Sequence, residues 1–384
     1  MKTKFKYWES KVSRAFWTSV VCLGLLTLAA CSDDTPTVDV ATPDASKYAL
    51  VDLHLHLDGS LTPEDVIEMA KLGGTLDDLP STDPTELKKR LTCPENTKDL
   101  TEYLKCFDLP ISVMQSEAPI AYSVESLVKR LDAQGLIYAE IRFAPQMHVQ
   151  KGLTQEEVVQ AAIKGLNKGL SESHTIKANL ILCCMRGDGS NDAANKETID
   201  LTKKYLGQGV VATDLAGAEA LYPTSYYRAT FEYATQQGVP FTIHAGEADG
   251  VESMNLALDY GAKRIGHGIR CWNDAAAMAR LKQMDVCLDL CPKSNLDTHA
   301  LEGVTTIAQY PLPTLLLNGV PVTINTDDMA VSDTNLKSEF QRLFDAKILT
   351  VQQAEKIVET SISHAFLPAS EKAELLKKAK ERMK

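Results

Sequence analysis

From residue 48 onward, short β-branched and apolar runs alternate with stretches whose apolar positions recur at helical spacing. Eight runs read as strands: Ala49–His56, Leu136–Pro145, Ala178–Arg186, Val210–Gly217, Phe241–Glu247, Arg264–His267, Val286–Pro292 and Pro321–Asp328. Between them, Leu153–Leu170, Asp192–Leu206, Ser225–Gln237 and Asp274–Met284 carry the apolar stripe of amphipathic helices. Strands separated by single helices make βαβ units and a parallel sheet. Eight such units predict an α/β fold closed as a TIM (β/α)8 barrel. One connection is long. Leu57 to Gly135 joins the first strand to the second, with helical patterns that include Lys98–Gln115 and Ala121–Gln134. An insertion at the C-terminal end of a strand sits over the barrel mouth, so a helical lid is expected there. After the eighth strand, Glu339–Lys384 reads as helices that finish the outer ring.

The pattern before residue 48 is different. Lys2, Lys4, Lys6, Lys11 and Arg14 precede an uncharged, largely apolar run of 16 residues, Ala15 to Ala30. That is short for a membrane-spanning helix and suits the core of a signal peptide. The run ends in Leu28-Ala29-Ala30-Cys31, which resembles a bacterial lipobox. The resemblance implies a signal peptide over residues 1–30, lipid on Cys31, and a protein anchored to a membrane of the cell envelope, periplasmic or surface-exposed. Residues 31–47 lack large apolar side chains other than valine and read as a flexible tether to a domain spanning 48–384.

Composition narrows the function. Apolar residues make up 44% and charged residues 24% of the chain, ordinary for a globular protein. The net charge of −11 becomes −15 without the leader, which carries five basic residues and Glu9. Such acidity argues against a nucleic-acid partner, which needs phosphate neutralisation, and suits a small, roughly neutral substrate. Seven cysteines remain beyond Cys31, an odd number with no CxxC pair. Neither a disulfide framework nor a four-cysteine zinc site is indicated, and Cys287 and Cys291 read as core thiols. A monomer is the default expectation.

Four polar clusters close predicted strands: His54-Leu55-His56, His244-Ala245-Gly246-Glu247, Gly266-His267-Gly268 and Asn325-Thr326-Asp327-Asp328. His54 and His56, two apart on a strand, point to one face. With His244 and Asp327 they offer three nitrogens and one oxygen, a set suited to one Zn²⁺ with room for a water. Such a metal lowers the water's pKa toward ~7. Glu247 could then hand a proton to a ring nitrogen or leaving group, and His267 could orient that water or take its proton. Asp328 diverges from Asp327 and is free for water or substrate. Singly, a histidine at a strand end is more often packed or at the surface than a ligand, and an Asp pair is usually turn chemistry. Together they fall at the ends of strands one, five, six and eight, the face where barrels keep their catalysts.

These clusters, with Asp52–Leu61, Phe107-Asp108, Glu140-Ile141-Arg142, Cys183–Arg186, Asp214-Leu215-Ala216-Gly217 and Cys291–Asn295, resemble the adenosine deaminase family over nearly all of residues 48–370. The resemblance implies zinc-dependent hydrolytic deamination of adenosine, and of 2′-deoxyadenosine, to the inosine product and ammonia. It implies one zinc on His54, His56, His244 and Asp327, and catalysis by Glu247, His267 and Asp328. Substrate contacts are implied for Asp58 (ribose), the Gly217 N–H (purine) and Asp328. The fourth strand has no lysine of the kind that bridges two metals in binuclear relatives, which favours a single ion. Two positions depart from the family pattern: Ala218 stands where an acidic residue is usual, and Met329 where proline is usual. His148, His174, His299 and His364 match no catalytic position. The rival readings are a deaminase of adenine or of a modified adenine nucleoside, a non-catalytic nucleoside-binding surface lipoprotein, and a general amide or ester hydrolase.

Overall fold

The computed structural model describes residues 42–383. The expected signal peptide, Cys31 and the tether up to residue 41 lie outside the described residues. Eight parallel strands follow one another: β1 (Leu50–His56), β2 (Leu136–Phe143), β3 (Lys177–Met185), β4 (Val210–Ala216), β5 (Thr242–Ala245), β6 (Arg264–His267), β7 (Cys287–Leu290) and β8 (Val322–Ile324). Ladders run β1-β2-β3-β4 and β5-β6-β7-β8. A Thr213–Phe241 bridge joins β4 to the residue that precedes β5, and a Leu55–Asp327 bridge joins β1 to the segment after β8. At the second seam, Asp327 N–H donates to the His54 carbonyl at 2.8 Å, and the Asp327 carbonyl accepts from His56 N–H at 2.7 Å. The eight strands therefore form a ring, the (β/α)8 barrel expected from the alternation.

Nearly every strand residue is buried, as in a sheet covered on both faces. Helix boundaries follow capping chemistry. The helix Gln155–Glu172 starts two residues later than its apolar pattern because Thr154 and Glu157 form a reciprocal capping box. The helix Arg228–Gln237 stops at Gly238, which takes the left-handed conformation.

Most strands are shorter than the sequence suggests, and β2 ends at Phe143. β5 ends at Ala245, β7 at Leu290 and β8 at Ile324. Gly246 (φ 77°) adopts left-handed backbone that turns the chain away from the β5 ladder, Pro292 opens a helix, Pro292–Asp297, and beyond Ile324 the chain pairs with β1 at Asp327. The long insertion is helical but broken. The stretch expected as Lys98–Gln115 forms Leu100–Tyr103, a 3₁₀ turn Leu104–Phe107, and Asp108–Val113. A single helix would place Pro110 in its interior, where proline removes a hydrogen bond and clashes; the break leaves it in a first turn.

The ordered domain also takes in residues assigned by sequence to the tether. Ala45 is buried, its N–H donates to Gln341 Oε1 at 3.1 Å, and Gln341 Nε2 donates to the Pro43 carbonyl at 3.2 Å. Among the described residues no helix is long and apolar enough to cross a membrane. All seven described cysteines are free, and Cys287 and Cys291 are buried.

Candidate active site

The ends of β1, β5, β6 and β8 bring the polar clusters together at one mouth of the barrel. Alternation along β1 turns both His54 and His56 inward. His54 is fully buried; His56 is 12% exposed and faces the mouth. Glycine is required beside them, because a Cβ on Gly266 would lie 2.8 Å from His54 Cε1. Asp327 Oδ1 lies 3.1 Å from His54 Nε2 and 3.3 Å from His56 Nε2, and His56 Nε2 lies 3.2 Å from His244 Nε2. Neither ring nitrogen of His54 has a hydrogen-bond partner. Burial is the main reason the His54 pKa sits well below its ordinary value, so the ring is neutral. Burial works against charge on Asp327, but the facing imidazoles of His267, His54 and His56 more than offset it and hold the carboxyl well below its usual range.

A buried imidazole without partners, meeting two others and a carboxylate at one point, is what a buried polar cluster looks like when its missing partner is a cation. Two overlapping groups meet the spacing a metal needs: His54, His244, His267 and Asp327, and His56, Asp327 and Asp328. His267 differs from the others. Tyr310 hydroxyl donates to Asn295 Oδ1 at 2.8 Å, which leaves Asn295 Nδ2 facing His267 Nδ1 at 3.0 Å. That bond occupies Nδ1 and assigns the ring proton to Nε2, 3.4 Å from Glu247 Oε2. So placed, His267 offers no lone pair to an ion.

Supports under the cluster were not singled out by sequence. Asp214 on β4 sets Oδ2 3.0 Å from His244 Nδ1 and 2.8 Å from Arg142 Nη1. In metal sites a carboxylate–imidazole pair of this kind orients the ring that faces the ion. Arg142 Nη2 and Arg264 Nη2 both donate to the Leu53 carbonyl, at 2.7 and 3.0 Å, and pin the β1 backbone next to the histidines. Ser294 hydroxyl donates to Asp327 Oδ2 at 2.6 Å. Asp214, Arg142, Ser294 and Asn295 all lie inside motifs already noticed; strand alternation could have found the first two, whereas the other two could be placed only by knowing where the helix after β7 lands.

Glu247, His267 and Asp328 surround the cluster on the mouth side, each almost fully buried. Burial first, then the neighbouring Asp327 and Glu219, raise the Glu247 carboxyl well above its ordinary pKa, and Thr298 hydroxyl donates to its Oε1 at 3.0 Å. A carboxyl raised in this way is suited to proton transfer. Burial pushes His267 down to about 3, so it is neutral. Asp328 is raised well above its usual range by burial, then by Asp327 and Asp58. Tyr103, from the helical insertion, donates to Asp328 Oδ2 at 3.1 Å; no sequence signal marked it.

These groups line one cavity of about 190 Å³. Its polar side holds His56, Asp58, Gly217, Glu247, Asp327 and Asp328, and its apolar side Leu104, Phe107, Ile111, Met147 and Met185. Three of those apolar residues belong to the insertion, which forms a wall of the site. Asp58 Oδ1 is buried and unpartnered. No lysine or arginine among the described residues lines the cavity. At one departure from the family pattern, Met329 N–H donates to Ser60 Oγ at 3.2 Å, a bond proline could not make.

A cation-ready histidine–carboxylate cluster and a buried acid, on the C-terminal face of a (β/α)8 barrel, define a metal-dependent hydrolase. The chain belongs to the adenosine deaminase family, whose model, "Adenosine deaminase", matches residues 49–382. It is 47% identical over 334 residues to an adenosine deaminase of Haemophilus ducreyi, covering 86% of this chain and 95% of that one. An adenosine deaminase of Clostridium perfringens is 36% identical over 317 residues, covering 82% of this chain and 93% of that one. The crystal structure of an adenine deaminase from Arthrobacter aurescens superposes with a TM-score of 0.77 at 29% identity, covering 87% of this chain and 98% of that one.

Proposed function

We propose that this protein hydrolyses the exocyclic amine of adenosine, and of 2′-deoxyadenosine, giving inosine or 2′-deoxyinosine and ammonia. Curated relatives that cover most of the chain carry that activity in their names. The observation that carries the reading is Glu247, a buried carboxyl that opens onto the same cavity as the histidine–carboxylate cluster. The ion is one Zn²⁺, held by His54, His56, His244 and Asp327, whose three nitrogens and one oxygen suit it. Zinc there supplies the Lewis acid that makes water a nucleophile near neutral pH.

The chain's own groups do the rest. Glu247 donates its proton to purine N1, which draws electrons from C6 as water oxygen adds there. Asp328 and His267 orient that water, and Asp328 accepts its proton. The amino group takes up the proton held by Asp328 and leaves as ammonia, and the C6 hydroxyl returns its proton to Glu247 as it becomes the carbonyl of the product. Gly217 N–H contacts the purine ring, and the free Oδ1 of Asp58 accepts from a ribose hydroxyl. That unpartnered acceptor favours a nucleoside over free adenine, the substrate named for the Arthrobacter protein. A cavity without lysine or arginine favours an uncharged substrate over a nucleotide.

The test is loss of ultraviolet purine absorbance with ammonia release, using zinc-loaded protein and a panel of adenosine, 2′-deoxyadenosine, adenine and N6-substituted nucleosides. No turnover of adenosine would overturn the reading, as would tight binding without ammonia. Location is part of the proposal: residues 1–30 direct export, and lipid on Cys31 tethers the enzyme to the envelope. Accumulation of precursor under globomycin, and accessibility to added protease, test the anchor and its face.

A further inference from the structure

Glu219 belongs to none of the polar clusters, yet its carboxylate has one of the densest sets of hydrogen bonds in the barrel mouth. It lies two residues beyond Gly217, after β4, and is 1% exposed. Its Oε1 accepts from Gly246 N–H at 2.8 Å and from Ser253 hydroxyl at 2.6 Å. Its Oε2 accepts from the N–H groups of Glu247, Ala248 and Asp249 at 3.1, 2.8 and 3.0 Å. Four consecutive amides of the turn after β5 therefore converge on one anion, the concave arrangement successive N–H groups use to bind anions. The turn needs such a partner. Gly246 leaves the strand at φ 77°, so the amides that follow have no ladder to join.

The anchor continues to the metal-ligand strand. Ser253 hydroxyl meets Thr224 Oγ1 at 2.7 Å, Arg186 Nη2 donates to Thr224 Oγ1 at 3.0 Å, and the same Nη2 donates to the His244 carbonyl at 2.6 Å. Burial opposes the charge on Glu219, but Arg186, Ser253 and the amides more than offset it and hold the carboxyl below its usual range. A charged acceptor makes stronger bonds to the amides than a neutral one would.

We infer that Glu219 is a positioning residue, which locks the turn Gly246–Asp249 and so aims the Glu247 carboxyl at the purine nitrogen it protonates. The inference rests on the deaminase reading for its chemistry, but not for the anchoring itself. Glutamine is the sharp substitution: whichever way its amide turns, an NH₂ group faces backbone N–H donors, and the charge is gone. Aspartate keeps the charge one methylene short.

The experiment compares zinc-loaded full-length wild type, Glu219→Gln, Glu219→Asp, Glu247→Gln and the Glu219→Gln/Glu247→Gln double variant. Two readouts are steady-state kinetics with adenosine and amide hydrogen exchange of residues 246–249. We expect Glu219→Gln to lower kcat by about 10- to 100-fold, with KM within about 3-fold and zinc content unchanged, and Glu219→Asp to fall between it and wild type. Exchange at 246–249 should quicken by at least about 10-fold with the rest of the barrel unaffected. The double variant should be no slower than Glu247→Gln alone, because Glu219 acts through a side chain already disabled. Unchanged kcat, unchanged exchange, or equal losses in both backgrounds would each overturn the inference. Should the wild type fail to deaminate adenosine, the proposed function falls, while exchange still decides whether Glu219 holds the turn.

Discussion

Gly59 is a position where one methyl group should disable the enzyme without touching a polar atom chemically. It sits in the 3₁₀ turn Asp58–Ser60 that follows β1, directly beneath Asp328. An alanine Cβ built there lies 1.8 Å from Asp328 Oδ1, 2.5 Å from its Cγ and 2.9 Å from its Cβ. Real contacts of this kind do not fall below 3.0 Å, so the carboxylate must retreat by about 1.2 Å or the turn must open. Both are held. Ala330 N–H donates to the Gly59 carbonyl at 2.9 Å, and Tyr103 hydroxyl donates to Asp328 at 3.1 Å. A misplacement near 1 Å in a catalytic group costs on the order of 100-fold in rate. Forcing a methyl into a packed site costs about 1–3 kcal/mol of stability. Gly59→Ala should therefore lose about 100-fold in kcat/KM for adenosine and only a few degrees in Tm, with zinc content unchanged. Gly74→Ala is the control: that residue is at φ 66° with nothing within 4 Å of its added Cβ, so it suffers strain without a clash and should keep its activity. A folded Gly59→Ala with wild-type turnover would refute the reasoning. Loss of zinc together with activity would move the cause from Asp328 to the metal cluster.

Glu247→Gln should lower kcat by roughly 10²- to 10⁴-fold while zinc binding and KM stay near wild type; undiminished turnover would remove Glu247 as the acid. Asp214→Asn leaves His244 Nδ1 facing a neutral amide, and competition with a chelator should show metal affinity about 10- to 100-fold weaker. Stripping the metal should abolish deamination and lower Tm, with both restored by stoichiometric Zn²⁺, because a ligand that binds only the folded state stabilises it. Cys31→Ser should move the protein from the membrane fraction to the soluble fraction of cells; retention in the membrane would refute lipid attachment at that residue.

Residues whose role is carried by their own chemistry were legible before the fold was known. His54 and His56 show a shared face by their spacing, and His244, Asp327 and Glu247 are of types that can take part in metal and proton chemistry. Residues that matter through a neighbour were not. Tyr103 comes from an insertion whose broken helices the apolar pattern merged into one, and its hydroxyl acquires meaning only against Asp328. Asp214 looks like any acid on a strand until His244 is found 3.0 Å away. Glu219 is separated from the amides it binds by the whole connection between β4 and β5.

Alone, the sequence determined the alternation of strand and helix, the parallel sheet it requires, and the residue types able to hold zinc and move protons. Those follow from local spacing and side-chain chemistry, which do not depend on distant parts of the chain. Tertiary structure decided where each strand stops and which of the polar residues face one another. Left-handed backbone at Gly246 ends β5 at the site, and closure of the ring brings Asp327 back against His54 and His56. Contacts across hundreds of residues leave no periodic trace, so only the closed barrel could show that four clusters line one cavity with an acid at its wall.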